Sequence, residues 1–411
     1  MESLVKRRRF VQVMSGGLAV SIAGCSTEAQ DEDPENDSDS GQTQENGEDT
    51  ETETESNGGV AYAFGPNTIA IIDPAEGEVV DEITEGIDGY EWGDAVPTND
   101  GSQLFVIEST LSQVLVIDTE SHEIVSEVAM GPDGTHMYHP NDEEMWAHSD
   151  AEGTFYVIDT ESHEVIETVV AGLEEEGHGK LLYHEDFGTT GYATNVNDPA
   201  AHIIDLEAYE RSDSIELGDE GGTHYKAYGP QNGLAYFERS GGVGTTAVVD
   251  TETDEVVDEL DFTGGMYLTP DEELLGIIDE NEIHFVDVTT EDSEEVGSVE
   301  VEGGPDALEY YEADDTLYGF TANTQEATAT VIDIDAFEEV DRIDAGDIQR
   351  PEGAEFLHRS GVSGDGYFFT PAGADGTVAV IDMEAQELIE HVPVEEGVDT
   401  VQYLGGTGDE Q

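Results

Sequence analysis

The chain has 411 residues and a formal net charge of −88, with 99 Asp and Glu against 11 Lys and Arg. A like-charged surface of this kind keeps a protein soluble in concentrated salt, so we interpret the acidity as halophilic adaptation. It disfavours nucleic acid as a partner, because the chain after Arg9 has no basic patch to neutralise phosphates.

The N-terminus resembles an export signal. Lys6 to Arg9 form a basic head, and Val11 to Ala23 form a short apolar stretch. The adjacent arginines resemble a twin-arginine signal, and the sequence Ile22-Ala23-Gly24-Cys25 resembles a lipoprotein cleavage box. We therefore predict a twin-arginine-like lipoprotein signal peptide over residues 1–24. A lipid on Cys25 would anchor the exported protein to the outer face of the cytoplasmic membrane.

Cys25 is the only cysteine of the chain. This excludes an internal disulfide, a thiolate zinc site and thiol catalysis in the remainder of the protein. Residues 25–58 consist almost wholly of acidic, small polar and amide residues and have no apolar side chains able to build a core. We predict that this segment is a disordered tether.

Eight apolar stretches end on Asp, and they define a repeat. Successive Asp numbers differ by 45, 41, 46, 45, 37, 46 and 49, which is the period of a four-stranded propeller blade. The sequence thus predicts an all-β protein, an eight-bladed β-propeller over residues 59–406, with a tail at 407–411. The repeating residues are Asp73, Asp118, Asp159, Asp205, Asp250, Asp287, Asp333 and Asp382.

The second repeat shows how a blade is built. Gln103 to Glu108, Gln113 to Asp118 and Glu123 to Met130 are three strands, and turn residues separate them. The Asp at each strand end is predicted to accept hydrogen bonds from backbone N–H groups of the turn, a structural role rather than a catalytic one. Val398 to Leu404 is predicted to join the N-terminal blade and so to close the ring.

A fourth segment precedes the first apolar strand of each following repeat and is predicted to be the innermost strand. These segments are Thr135 to Pro140, Lys180 to His184, Thr223 to Tyr228 and Ala354 to His358.

Three histidines occupy one position in adjacent repeats. His136, His178 and His224 lie 18, 19 and 19 residues after the Asp of their repeats, and Asp306 and Glu352 lie at an offset of 19 in later repeats. If this position begins the innermost strand of each blade, the side chains converge on one end of the channel that runs through the centre of the propeller, which we call the channel mouth. Three imidazoles and a carboxylate suit a divalent transition metal, with zinc as the first choice. We predict a site of the three histidines and Asp306, with Glu352 as a possible additional mouth residue.

Lysine is almost absent, yet Lys180 and Lys226 each lie two residues after one of these histidines. They either balance carboxylates at the mouth, meet an anionic ligand, or pair with neighbouring acids. His139, Met145 and His148 lie near His136 and add soft and imidazole donors. Copper is therefore an alternative identity for the metal.

The repeated VIDT and VIDTESHEVI strings resemble YVTN-type β-propellers, and the count of eight resembles the cytochrome d1-like propeller of nitrite reductases. That resemblance covers residues 59–406 and implies d1-type haem as an alternative cofactor, whereas covalent c-type haem is excluded because no Cys-x-x-Cys-His occurs. The three histidines with a carboxylate resemble propeller-type zinc metallochaperones. This second resemblance implies a metal ABC-transport binding protein as partner. One departure is that Ser26 to Gly58 contains no histidine.

Two rival functions remain open. The chain lacks the spacing of a nucleophile elbow and of a phosphate loop, so catalysis is not predicted. The alternative to a metal-binding accessory protein or metallochaperone is either a cell-surface interaction propeller without metal or a d1-haem-type redox propeller. We expect a monomer.

Overall fold

The structure is a computed structural model that describes residues 58–173, 176–352 and 357–405. The predicted signal peptide, Cys25 with nearly all of the predicted tether, and the predicted tail lie outside these residues. Within the described part of the chain, no helix is long and apolar enough to cross a membrane.

The described residues form an all-β ring of eight four-stranded antiparallel sheets, which confirms the predicted eight-bladed propeller. The first four blades follow the chain from the N-terminus. Their strands are β1 (Val60–Phe64), β2 (Ile69–Asp73) and β3 (Glu78–Ile83); β4 (Trp92–Pro97), β5 (Gln103–Glu108), β6 (Gln113–Asp118) and β7 (Glu123–Ala129); β8 (Gly134–Asn141), β9 (Glu144–Ser149), β10 (Thr154–Asp159) and β11 (Val165–Val170); β12 (Leu181–Tyr183), β13 (Thr190–Ala193), β14 (Ala200–Asp205) and β15 (Glu210–Glu216).

The other four blades repeat this order. A single 3-10 helix, Glu185–Phe187, interrupts the strands of the fourth blade among the described residues. The remaining strands are β16 (Lys226–Gly229), β17 (Leu234–Arg239), β18 (Thr245–Asp250) and β19 (Glu255–Leu260); β20 (Gly265–Leu268), β21 (Leu274–Asp279), β22 (Glu282–Asp287) and β23 (Glu295–Glu300); β24 (Pro305–Ala313), β25 (Thr316–Asn323), β26 (Thr328–Asp333) and β27 (Glu338–Asp344); β28 (Val362–Gly364), β29 (Tyr367–Ala372), β30 (Thr377–Asp382) and β31 (Glu387–Pro393); and β32 (Thr400–Leu404).

The C-terminal strand closes the ring as predicted. β32 pairs with β1 and is the innermost strand of the first blade, with Val60 opposite Leu404 and Phe64 opposite Thr400. Val401 and Tyr403 are buried between the first and eighth blades. The pairing covers the inner edge of β1 and joins the two ends of the propeller in one sheet.

The blades are held together by apolar side chains packed between neighbouring sheets. The two middle strands of each blade are buried almost throughout, as in β2 and β5, since they face a sheet on either side. Each core cluster joins consecutive blades; one packs Ile71 of the first blade with Leu104 and Leu115 of the second. The outermost strands are mostly exposed and carry exposed apolar residues such as Val125 beside their acids, while a position near the end of each strand, such as Val128 or Ile215, is buried.

The repeating Asp residues have the predicted structural role. In all eight repeats the carboxylate accepts a hydrogen bond from a backbone N–H two or three residues later. Asp118, for example, accepts from Ser121 N at 2.9 Å, and Asp382 accepts from Ala385 N at 2.8 Å. The other six bonds follow the same pattern. This local bond fixes the turn that leads into the outermost strand.

The eighth blade differs from the sequence prediction. Its innermost strand is β28, Val362–Gly364, and not the segment Ala354 to His358. The interval between the Asp residues of the last two repeats, 49 residues, is the longest in the chain, and the extra residues lie in the loop before β28. Counting forward from Asp333 therefore stops several residues too early.

Candidate metal centre

His136, His178 and His224 converge at the entrance of the central channel. His136 lies in β8, His178 precedes β12 and His224 precedes β16, so the three come from the third, fourth and fifth blades. One ring nitrogen from each lies within 4.8 Å of the others. The ring centroids are 4.7 Å apart for His136 and His178, and 4.4 Å apart for His178 and His224. Consecutive blades thus bring residues more than forty positions apart into one cluster, which we call the histidine triad.

Two carboxylates orient the first two imidazoles. His136 Nδ1 lies 3.0 Å from Asp94 Oδ2, and His178 Nδ1 lies 2.7 Å from Asp150 Oδ2. Burial favours the neutral acid, but the His136 imidazole holds the pKa of Asp94 below its ordinary value. Hydrogen bonds from His148 and His178 likewise outweigh burial and hold the pKa of Asp150 well below its usual range. Both groups are therefore carboxylates that accept the Nδ1 protons, which leaves each Nε2 with a lone pair.

The two Nε2 atoms face each other at 3.2 Å. Burial lowers the pKa of His136 to about 4, so this imidazole is neutral near pH 7. Two lone pairs at this distance repel unless a cation or proton lies between them. Two nitrogen ligands of a tetrahedral zinc ion, at bond lengths of about 2.1 Å, are separated by roughly 3.3 Å. The observed spacing matches that value.

His224 completes the cluster without a polar partner. Its Nδ1 is buried, and no other described residue gives it a hydrogen bond. Burial, followed by the charge of Lys180, lowers the pKa of His224 well below its usual range. A neutral imidazole with an unsatisfied buried nitrogen is unusual in a folded protein. The His224 imidazole is therefore neutral near pH 7, and an unsatisfied buried nitrogen is also found among the described residues at His139 and His148.

Asp306, predicted as the fourth ligand, and Glu352, predicted as an additional mouth residue, both lie outside the histidine triad. Asp306 is in the seventh blade, across the channel from the third. Its carboxylate lies 2.7 Å from His358 Nδ1 and accepts a hydrogen bond from Arg359 N at 2.8 Å. A register shift after Asp306 in β24 accompanies these contacts. Glu352 is exposed in the loop before β28 and makes no hydrogen bond or ion pair with any other described residue. Neither acid belongs to the cluster of possible metal ligands.

Lys180 and Lys226 extend into the same channel. The Lys180 Nζ lies 5.2 Å from the centre of the Tyr225 ring, and the Lys226 Nζ lies 5.8 Å from that of Tyr138, distances at which cation–π attraction operates. Burial lowers the pKa of Lys226 to about 7, and the neighbouring charge of Lys180 adds to this. Burial also lowers the pKa of Lys180, against the pull of three carboxylates. The sequence left three roles open for these two lysines. Among the described residues, neither ammonium group forms an ion pair with an acid, which was one of the three.

No protein-family model matches this chain, and no curated protein matches it. Among solved structures, its fold is similar to that of the dihydro-heme d1 dehydrogenase NirN in complex with DHE, with a TM-score of 0.65 and 13% identity over 84% of this chain and 75% of that chain. It is also similar to AztD from Citrobacter koseri, with a TM-score of 0.62 and 13% identity over 86% of this chain and 99% of that chain. The apo form of AztD gives a TM-score of 0.61 at 12% identity over 86% of this chain and 100% of that chain. These similarities confirm the resemblance in fold predicted from the repeats.

Several channel residues were missed by sequence reasoning. Asp94 lies 21 residues after Asp73, and Asp399 lies 17 residues after Asp382. A search for polar residues 17 to 21 positions after the Asp of each repeat would therefore have found both. His358 is displaced by the longer loop of its repeat. Burial lowers the pKa of His358, but the hydrogen bond and the charge of Asp306 together outweigh burial and raise that pKa. No offset finds Asp150, because it follows a middle strand, β9, and not an innermost one.

The residues suggested as soft ligands have structural partners. Met137 and Met145 are buried in the core between the second and third blades. His139 Nδ1 lies 2.8 Å from the backbone oxygen of Glu144, and His148 Nδ1 lies 2.9 Å from Asp150 Oδ1. These contacts occupy the Nδ1 of each histidine, whereas the Nε2 of His139 and of His148 is buried without a hydrogen-bond partner among the described residues. Copper is therefore an alternative to zinc at the histidine triad and not a ligand of a second site.

A serine, histidine and aspartate chain occurs away from the channel. His202 bridges the fourth blade, with Nδ1 at 2.9 Å from Ser214 Oγ and Nε2 at 3.0 Å from Asp198 Oδ2. The imidazole is fully buried, and Ser214 pairs directly with it on the outermost strand. We interpret this chain as a structural bridge between β14 and β15, because a substrate does not reach the imidazole.

Proposed function

We propose that this chain is an extracytoplasmic, lipid-anchored β-propeller that binds a divalent transition metal at its channel mouth. Zinc is the first choice, and copper is the alternative. The single observation that carries the proposal is the pair of His136 and His178 Nε2 atoms, 3.2 Å apart with both Nδ1 protons directed to carboxylates. That arrangement places two ring nitrogens where a shared proton or a metal cation would lie between them.

The charge around the triad supports a divalent ion. Burial lowers the pKa of His136 and of His224 and so favours their neutral forms, while Asp94 and Asp150 contribute two negative charges behind the triad. Carboxylates hydrogen-bonded to ligating imidazoles raise the basicity of the ligands and fix their orientation. Imidazole donors suit zinc and copper better than magnesium or calcium, which prefer oxygen ligands.

We propose that the metal is a cargo passed to a partner, so that the protein acts as a metallochaperone or metal-binding accessory protein. Exposure of the site supports this role, since 34% of the His178 side chain is accessible. A metal ABC-transport binding protein is the proposed partner, on the resemblance described above. The basic head at Lys6 to Arg9 and the box at Cys25 support export and lipid anchoring, and the net charge of −88 supports a halophilic setting.

The test is metal analysis of the full chain purified without an affinity tag. We expect one zinc per chain by elemental analysis, and none in a variant with His136, His178 and His224 all replaced by Ala. A matched triple variant replaces His122, His163 and His391, which lie in outer turns and on an outermost strand, and should keep its zinc. Equal zinc in both triple variants would contradict the proposal.

A second candidate is a d1-haem-type redox propeller, which the similarity in fold to NirN favours. Protein purified from its source would then be coloured, with haem absorbance that persists in the triple variant of the triad. Colourless protein with stoichiometric zinc removes this candidate. A surface-interaction propeller would keep partner binding when the triad is replaced.

A further inference from the structure

Asp150 joins the two segments of chain that carry His136 and His178. It directly follows β9 of the third blade. Its backbone N–H donates to the backbone oxygen of Asp133 at 2.9 Å, just before the start of β8. Its backbone oxygen accepts from the N–H of Gly177 at 2.8 Å, directly before His178. One residue therefore holds the beginning of β8 beside the segment that leads into β12 of the fourth blade.

The carboxylate of Asp150 makes the same connection a second time. Thr135, the neighbour of His136 on β8, donates its hydroxyl to Asp150 Oδ1 at 2.7 Å. His178 Nδ1 lies 2.7 Å from Asp150 Oδ2. The buried imidazole of His148 lies 2.9 Å from Oδ1 and limits rotation of the carboxylate. The two oxygens of one planar group thus set the position of a β8 residue relative to an imidazole of the next blade.

The backbone on both sides of His178 is tightly packed. A Cβ atom on Gly177 would lie 2.0 Å from Asn195 Oδ1, and one on Gly179 would lie 2.1 Å from the backbone oxygen of Thr194. Only glycine lets the chain approach its neighbours this closely. Because the backbone is fixed in this way, the direction of the His178 imidazole depends on the contact between its Nδ1 and the carboxylate behind it.

His136 and His178 are therefore held as a pair by contacts within the protein. Their Nε2 atoms are 3.2 Å apart, close to the roughly 3.3 Å expected between two nitrogen ligands of a tetrahedral zinc ion. Larger divalent cations form longer bonds to nitrogen and need the two atoms to move apart. A pair with a fixed separation resists that movement, and proteins discriminate between metals by geometry more than by raw affinity.

We propose that Thr135 is a positioning residue of the metal centre, whose hydroxyl acts through Asp150 to fix the separation of the His136 and His178 imidazoles. The fixed separation favours zinc over larger divalent cations. Thr135 acts only through the carboxylate and is not itself a ligand. This inference rests on the proposed metal site and explains how that site selects ions by size.

The experiment measures the zinc and cadmium affinities of the full chain by competition with a chromophoric chelator at fixed pH and salt. Thr135→Val removes the hydroxyl and keeps the branched shape of the side chain. We expect zinc to bind about tenfold more weakly, at the lower end of the effects that outer groups have on metal affinity. Cadmium should lose less, so the ratio of zinc to cadmium affinity should fall several-fold. Thr135→Ser, which keeps the hydroxyl, should remain close to the wild type for both metals.

Thr246→Val is the matched control. Thr246 is fully buried on β18 of the fifth blade, and its hydroxyl donates to the backbone oxygen of Phe262 at 2.8 Å. Its replacement should lower the melting temperature of the metal-free protein and leave the zinc-to-cadmium ratio unchanged. The ratio therefore separates positioning of the ligands from a general loss of stability. Thr135→Ala, measured in parallel in case the valine variant folds poorly, should show the same fall in the ratio.

Two results would overturn the role of Thr135. One is a zinc-to-cadmium ratio that stays at the wild-type value in Thr135→Val and Thr135→Ala, while replacement of the triad abolishes zinc binding. The other is an equal fall of the ratio in Thr246→Val. Absence of triad-dependent zinc binding from the wild type removes the proposed function, and the role of Thr135 with it.

Discussion

Asp150→Asn tests the link between the carboxylates and the metal site. Asp150 Oδ1 accepts hydrogen bonds from Thr135 Oγ1 at 2.7 Å and His148 Nδ1 at 2.9 Å, while Oδ2 contacts His178 Nδ1 at 2.7 Å. An asparagine oxygen can replace Oδ1 and keep the first two bonds. The amide NH2 then faces His178 Nδ1, where an acceptor is needed.

The magnitude follows from the tautomers of His178. In the tautomer with the proton on Nδ1, His178 can still bind metal through Nε2. It loses the charge-assisted hydrogen bond to the Asp150 carboxylate, which is worth about 1.5–3 kcal/mol. With its Nδ1 free to accept from the amide, Nε2 carries the proton and the metal must displace it. Since about 1.4 kcal/mol corresponds to tenfold, zinc affinity should fall by about 10- to 100-fold.

Competition with a chromophoric chelator measures this change. Asp94→Asn should behave similarly, because Asp94 contacts His136 Nδ1 in the same way. Asp118→Asn is the control, since its carboxylate serves a turn and the asparagine oxygen can still accept from Ser121 N. If Asp150→Asn bound zinc as tightly as the wild type while the triad variant bound none, the proposed coupling between carboxylate and imidazole would be wrong.

Four further predictions concern the fold and the setting of the protein. Burial lowers the pKa of His202, so below about pH 6.5 the unfolded chain takes up a proton that the folded state excludes, and the free energy of unfolding should fall. Urea titrations at pH 7.5 and at pH 5 should show that the free energy of unfolding falls less between these pH values in His202→Gln than in the wild type. An equal fall in both proteins would contradict this. Tyr403→Ala should cost about 3–5 kcal/mol, because the ring stacks on Phe369 at 5.4 Å and belongs to the closing strand. Leu111→Ala, at a site 59% exposed, should stay within about 0.5 kcal/mol in the same denaturation assay; similar losses in both would argue against closure by β32. The melting temperature should rise between 0.1 and 2 M KCl, because the Debye length falls from about 10 Å to below about 3 Å and salt then screens the repulsion within a chain of charge −88. A melting temperature that does not depend on salt would contradict the halophilic interpretation. Cys25→Ser should release the protein from the membrane fraction in its native host, and retention there would refute the lipid anchor.

The sequence by itself determined the blades. Each repeat ends a buried strand on Asp, and the bond from that carboxylate to a backbone N–H two or three residues later forms within one short segment, as at Asp118 and Ser121. Apolar stretches such as Gln103–Glu108 form strands because both faces pack against neighbouring sheets. The regular interval identified each repeat as a blade, the eight copies gave the number of blades, and a strand left over at the C-terminus implied closure with the first blade.

Only the tertiary structure decided which residues meet in the channel. Counting along the repeat found three histidines, because their blades are adjacent and their intervals nearly equal. It did not find Asp150, which reaches His178 from the end of a middle strand, or His358, which the longer loop of the eighth blade shifts toward Asp306. Hydrogen bonds within a turn depend on a few neighbouring residues, whereas contacts across the ring depend on the lengths of every loop and on the closure of all eight blades.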